Sequence, residues 1–342
     1  MSSNNNPRKL SEPRPSSGAP TEPLLNIRDL YVEYLTPRGA VGAVDGVSFA
    51  IAPGEVFGLA GESGCGKSTI AHSILRVLRP PAVITGGEIL FKGQDVLDMD
   101  SAALQAFRWR DVSMVFQSAL NALNPVMRIK DQIADVIVRH EQISKEAAYE
   151  RAADLLETVG IERSRLDSYP RELSGGMRQR VVIAIALALR PPLMIMDEPT
   201  TALDVVVQKD ILQQIEHLKQ EMGFSILFIT HDLSLMVEFS DRIGIMYAGK
   251  LVELAPAKEI LDQPLNPYTQ GLLGSFPPLV GEKIRLTGIP GSPPDLAAPP
   301  AGCRFHPRCP LAEARCRDLE PALRQVRPAH WVACHLVEGV HE

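Results

Sequence analysis

From Leu24 to about Val252, short apolar runs of strand length alternate with longer stretches whose apolar residues recur at helical spacing. Val56–Ala60, Val112–Phe116, Leu193–Asp197, Ser225–Thr230 and Arg242–Tyr247 read as strands. Several are apolar almost throughout, as in a sheet covered on both faces. Lys67–Leu78, Lys145–Val159, Met177–Leu189 and Val207–Met222 read as helices. This alternation predicts an α/β domain with a mostly parallel core. From about Ser118 to Leu173 there are helix signals and no convincing strand, so a helical subdomain, at about 118–180, is expected as an insertion into the sheet domain. The two ends differ from this middle. Residues 1–23 are polar, rich in Ser, Asn and Pro, and read as a disordered tail. Of 28 prolines, 14 lie at or after Pro256, which limits regular helix and strand there.

Composition narrows the class. At roughly 150 residues per domain, 342 residues suggest about two domains. The net charge of −6 and the 5% aromatic content give no bulk signal for a nucleic-acid partner. The longest apolar run, Val181–Leu189, is closed by Arg190, whereas a spanning helix needs about 20 residues. The N-terminus lacks the apolar core of a signal peptide. The chain is therefore expected in the cytoplasm, meeting a membrane only through a partner.

The sharpest chemistry is Gly61-Glu-Ser63-Gly64-Cys65-Gly66-Lys67-Ser68-Thr69. It fits G-x-x-x-x-G-K-[ST], follows a strand and opens a helix, the context of a phosphate-binding P-loop. Its glycines let backbone N–H groups curl around phosphate oxygens, and the helix N-terminus adds a favourable dipole. Lys67 can reach the β/γ-phosphates, and Ser68 offers its hydroxyl to Mg²⁺. Cys65 holds a variable position and reads as a bystander rather than a redox switch. The strand Leu193–Asp197 then delivers Asp197 and Glu198 to its C-terminal end, where open α/β sheets bind ligands. Asp197 suits Mg²⁺, and Glu198 suits a general base for the attacking water. A carboxylate pair after an apolar strand is weak evidence alone; the P-loop gives it meaning.

Leu173-Ser174-Gly175-Gly176-Met177-Arg178-Gln179 resembles the signature motif of ABC ATPases. The resemblance covers roughly Leu24 to Leu261 and implies a P-loop (RecA-like) α/β nucleotide-binding domain at 24–261. It implies that Ser174, Gly175 and Gly176 face the γ-phosphate held by an opposite subunit, with two ATPs sandwiched between two such domains. It also implies that Gln117 is the Q-loop residue sensing Mg²⁺ and the attacking water. Thr201-Ala202-Leu203-Asp204 would be the D-loop at the dimer interface, and His231 the switch histidine at the γ-phosphate. Tyr34 is the candidate for stacking on adenine, with Tyr31 as competitor. Glu198 and His231 are both intact, which speaks for hydrolysis and against a non-turnover regulatory subunit. A soluble ABC ATPase acting on ribosomes or DNA would usually carry two ATPase domains or a coiled-coil insertion, and neither is seen.

Residues 262–342 form a small, irregular C-terminal extension on this reading. Asn266-Pro267-Tyr268-Thr269 and Leu272-Leu273 look like the extension of ATPase subunits from dipeptide, oligopeptide and nickel importers. Four of the five cysteines follow as Cys303-x5-Cys309-x6-Cys316-x17-Cys334. Similar extensions in peptide-importer subunits can hold a [4Fe–4S] cluster on four cysteines, and thiolates suit zinc as well. The absence of a C-x2-C pair weakens a zinc ribbon; thiols without metal are the third option. His306, His330 and His335 are nearby substitute ligands. The family reading implies an importer for di- or oligopeptides, or for nickel chelates or glutathione. Its partners would be a second, related ATPase, two transmembrane permease subunits and, indirectly, an extracytoplasmic binding protein. The chain would then sit on the cytoplasmic face of the inner membrane.

Overall fold

The computed structural model describes residues 22–116, 122–199, 204–275 and 288–338. The described strands are, in chain order, β1 (Leu25–Thr36), β2 (Gly39–Ile51), β3 (Val56–Ala60), β4 (Ala82–Phe91), β5 (Gln94–Asp95), β6 (Val112–Val115), β7 (Leu193–Asp197), β8 (Ser225–Ile229), β9 (Arg242–Tyr247), β10 (Lys250–Pro256), β11 (Arg324–Arg327) and β12 (His330–Val332). The described helices are α1 (Lys67–Ile74), α2 (Ser101–Arg110), α3 (Ile129–His140), α4 (Lys145–Thr158), α5 (Gly175–Leu187), α6 (Val205–Met222), α7 (Leu233–Phe239), α8 (Ala257–Asp262), α9 (Pro267–Leu273) and α10 (Arg315–Asp318).

The main sheet has the order β11-β12-β10-β9-β3-β8-β7-β6. Its centre, β9-β3-β8-β7-β6, is parallel, and β10 joins antiparallel to β9. Every residue of β3, β7 and β8 is buried, which explains their unbroken apolar runs. Successive side chains of one strand serve opposite cores. Met194 and Met196 pack with α3–α6, whereas Leu193 and Ile195 pack under the second sheet with Ile70 and Ile74 of α1.

That second sheet is antiparallel, in the order β2-β1-β4-β5, and the sequence pattern did not disclose it. The reason is local. Asp29 adopts φ +43°, and the β1–β2 register shifts between Ile27 and Leu30 and again at Tyr31, so the two-residue period is interrupted. The predicted strands of the main sheet agree with the observed ones to within a residue. Predicted Lys67–Leu78 stops at Ile74, where Arg76 turns to φ +50°. Helices α5 and α6 start two residues earlier than predicted, because Ser174 and Asp204 cap them by accepting the N–H groups of Met177 and Val207 at 3.3 and 3.0 Å.

Between residues 122 and 173 the chain forms α3, α4 and short 3-10 turns with no described strand; 118–121 lie outside the described residues, as does 1–21 of the tail. The C-terminal extension holds more regular structure than its prolines suggested. β11 and β12 form a hairpin, and β12 pairs with β10 through Glu253↔Val332 and Leu254↔Trp331. Pro328 sits in the turn beside Ala329 (φ +57°), outside the ladder it would break.

Candidate active site

The phosphate loop bridges the C-terminal end of β3 and the start of α1. Gly61 adopts φ +146°, and a Cβ there would come within 2.2 Å of the Met246 carbonyl oxygen. Gly66 adopts φ +108°, and a Cβ would meet the Ala43 carbonyl oxygen at 2.4 Å. Both positions therefore demand glycine for backbone angle and for space. The Lys67 ammonium is buried and donates to the carbonyl oxygens of Gly61 (2.7 Å) and Glu62 (3.0 Å). Cys65 is buried with Sγ 3.5 Å from Lys67 Nζ, and burial pushes its thiol up.

The ends of neighbouring parallel strands complete the constellation. Ser68 Oγ donates to Asp197 Oδ1 at 3.1 Å, joining the phosphate loop to β7. Burial raises the Asp197 carboxyl, and the Ser68 hydrogen bond partly offsets that rise. Two oxygen donors thus converge, the donor chemistry that Mg²⁺ prefers. Glu198 follows with φ +48°, an angle strained for a glutamate, held by its N–H donating to the Ile229 carbonyl at 2.8 Å. Its Oε1 lies 3.6 Å from Nδ1 of His231, which stands beyond β8.

A cleft of about 330 Å³ is lined by Tyr34, Ser63, Gly64, Gly66, Lys67, Ser68, Thr69 and Glu198. Tyr34 Oη is 3.5 Å from Thr69 Oγ1, so its ring borders this cleft. Tyr31 packs instead against Gly46 and Gly86. Ser174, Gly175 and Gly176 form the cap and first turn of α5, with Ser174 exposed, and Asp204 caps α6. Among the described residues, none of these four lines the cleft. Gln117 and Thr201-Ala202-Leu203 lie outside the described residues.

Cys303, Cys309, Cys316 and Cys334 all line one cavity of about 290 Å³ between the C-terminal extension and the core, where Asp45 and Tyr247 also line it. Burial, and then the neighbouring sulfurs, push the Cys303 thiol up to about 11. Cys309 and Cys334 are raised for the same reasons. Any cation held here must displace thiol protons, so its affinity rises with pH. Among the described residues, no group of three or more His, Cys, Asp or Glu side chains is arranged to hold a metal ion. His306 and His335 also line the cavity, bonded to the Cys303 and Leu319 carbonyls. His330 is no substitute ligand: it is fully buried between Glu253 (2.7 Å) and Glu259 (3.0 Å).

Comparison with known proteins places this geometry. The family described as ABC transporter matches residues 44–201, and the oligopeptide/dipeptide transporter C-terminal region matches residues 252–316. The dipeptide transport ATP-binding protein DppD of Bacillus subtilis is 43% identical over 92% of this chain and 95% of its own length. The chain belongs to the ATP-binding subunits of the ABC oligopeptide/dipeptide transporter family. The oligopeptide transport ATP-binding protein OppD of Salmonella typhimurium is 41% identical over 95% of this chain and 97% of its own. A dimeric ATP-binding cassette in a post-hydrolysis state with ADP and Pi aligns with TM-score 0.61 at 28% identity, covering 68% of this chain and 98% of that one. The subunit is thus an ABC ATPase coupled to transport, and among the described residues no helix is long and apolar enough to cross a membrane.

Sequence reasoning missed several residues at this site. Leu296, from the C-terminal extension, lines the nucleotide cleft. Tyr268 Oη accepts the Glu62 N–H at 2.9 Å, and Arg308 grips the Glu62 carboxylate. The only sequence signal was position: Tyr268 lies in the Asn-Pro-Tyr motif, and Arg308 directly precedes Cys309.

Proposed function

We propose that this subunit hydrolyses ATP to power import of di- or oligopeptides through two membrane permease subunits, paired with a second, related ATPase. The observation that carries it is the joint match of an ABC core and an oligopeptide/dipeptide C-terminal region on one chain. The relatives that transport dipeptides and oligopeptides support the cargo class. Pairing is supported by the exposed Ser174, which lies off its own chain's cleft and is free to meet a neighbour's phosphate. On this reading the chain sits on the cytoplasmic face of the inner membrane, held there by the permeases, and touches no nucleic acid.

In the reaction, backbone N–H groups of residues 64–69 and the Lys67 ammonium hold the β- and γ-phosphates. Tyr34 offers its ring to adenine. Ser68 and Asp197, with Gln117, would hold Mg²⁺, which supplies neutralising charge on the phosphate oxygens when bound. Glu198 accepts a proton from the attacking water, and His231, beside it, contacts the γ-phosphate. Ser174, Gly175 and Gly176 of one subunit, with Asp204 beside them, close on the nucleotide of the other. Hydrolysis removes that bridge and reopens the pair.

Lys67→Ala removes two or more charge-assisted bonds, so the ATP Kd should rise by about tenfold or more. Uptake of a labelled dipeptide by vesicles carrying the assembled transporter should fall with it. ATP-driven uptake that never responds to any di- or oligopeptide would redirect the cargo assignment.

For the cysteine cavity we propose a [4Fe–4S] cluster on Cys303, Cys309, Cys316 and Cys334, serving as a structural clip for a proline-rich segment. Support comes from the four sulfurs lining one cavity. Protein prepared without oxygen should carry iron and acid-labile sulfide, and Cys309→Ser should lose both. Stoichiometric zinc, or no metal at all, would replace the cluster with the corresponding alternative.

A further inference from the structure

We infer that the C-terminal extension sets the affinity of the phosphate loop for ATP, with Arg308 as the positioning residue acting through Glu62. The loop's second residue is held at both ends by the extension. Arg308 Nη1 donates to Glu62 Oε2 at 2.6 Å and Nη2 to Oε1 at 2.9 Å, a two-pronged pair. At its other end, the Glu62 N–H donates to Tyr268 Oη at 2.9 Å.

The clamp is itself rigid. The Arg308 side chain is only 6% exposed, its Nε donates to the Pro290 carbonyl at 2.8 Å, and its guanidinium lies 5.8 Å over the Tyr247 ring. Tyr247, Tyr268 and Phe305 pack together with centroids 4.6 to 5.2 Å apart. The gripped residue also touches the chemistry. The Glu62 carbonyl is one of the two that hold the Lys67 ammonium. A chain of contacts therefore runs from Arg308 through Glu62 to the Lys67 ammonium.

A second set of contacts runs in parallel. Arg304, next to Cys303, donates to the Ala248 carbonyl and pairs with Asp45, while the adjoining Gly249 N–H donates to the Cys65 carbonyl of the loop at 3.1 Å. Leu296 reaches the cleft itself. Two arginines beside two cavity cysteines thus brace the phosphate loop from outside the ATPase core.

A loop already held in shape loses less freedom when ATP arrives. Such bracing acts on ground state and transition state alike, so its loss raises KM and spares kcat. A purely structural brace would instead lower thermal stability and leave KM alone.

The test uses the full-length chain, with binding read by a fluorescent ATP analogue and turnover read in the assembled transporter. Glu62→Gln keeps the shape and removes the charge, and a thermal melt of each variant shows that it is folded before binding is read. Glu62→Gln and Arg308→Ala should each raise Kd and KM for ATP by about tenfold, with kcat within about twofold. The double variant should be no worse than either single one, because the two residues act as one pair. Arg308→Lys should recover part of the affinity, since it keeps the charge and loses the fork. Unchanged KM in folded Glu62→Gln overturns the inference. So does a double variant whose effects multiply, or a loss confined to kcat.

Discussion

Glu198→Gln should lower ATP turnover by about 10²- to 10⁴-fold, the range of a general base, while ATP stays bound. The exchange keeps the side chain's size and removes its capacity to take a proton. Three features locate that loss in the chemical step. Glu198 follows the strand whose last residue, Asp197, receives the Ser68 hydroxyl, so the carboxylate stands next to the phosphate end of the cleft. Its backbone is fixed at φ +48° by the bond to Ile229, so the amide should occupy the same place. Its neighbour at 3.6 Å is His231, which the exchange leaves intact. None of the loop contacts to Lys67 involves Glu198, so ATP affinity should hold. Single-turnover rates and retained radiolabelled ATP measure the two halves separately. Turnover within a few-fold of the unaltered protein would remove Glu198 from the base role.

The phosphate site was legible in the sequence because each of its parts is local. A P-loop needs glycines where the backbone turns to φ +146° and +108°, and no other residue fits where a Met246 or Ala43 oxygen stands 2.2 or 2.4 Å away. Strands buried on both faces, such as β7 and β8, are unbroken apolar runs that no surface element imitates. What failed to show was long-range. β1 hides its alternation behind register shifts at Ile27 and Leu30. The pairing of β12 with β10 joins residues about eighty positions apart, and no local pattern carries that information.

The same distance explains why the extension read as an appendage. Arg308 and Glu62 are 246 residues apart in the chain. Proline content described the local backbone correctly, yet it said nothing of the buried charges that tie this segment to the core. Those charges join the packing of Tyr268 and Phe305 on Tyr247 in making the extension part of the ATPase.

His330→Ala should cost about 1–3 kcal/mol or more, because it leaves the fully buried Glu253 carboxylate without its ring partner. His330 and Glu253 are both fully buried, 2.7 Å apart, and Glu259 closes on the other ring nitrogen at 3.0 Å. The ring thus bridges the two carboxylates. Without it, Glu253 keeps only the N–H groups of Leu265 and Asn266, at 2.8 and 3.1 Å. Those two bonds hold the entry to α9, which carries Tyr268 to the phosphate loop. The damage should therefore begin in the extension and reach the nucleotide site second. Hydrogen exchange should show β12 and α9 opening before the parallel sheet, and denaturant titration should show an earlier, broader first transition. Glu253→Gln combined with His330→Ala should recover part of the loss, since no charge is then left stranded. A double variant less stable than His330→Ala would mean that packing, not the buried charge, holds the hairpin to the core.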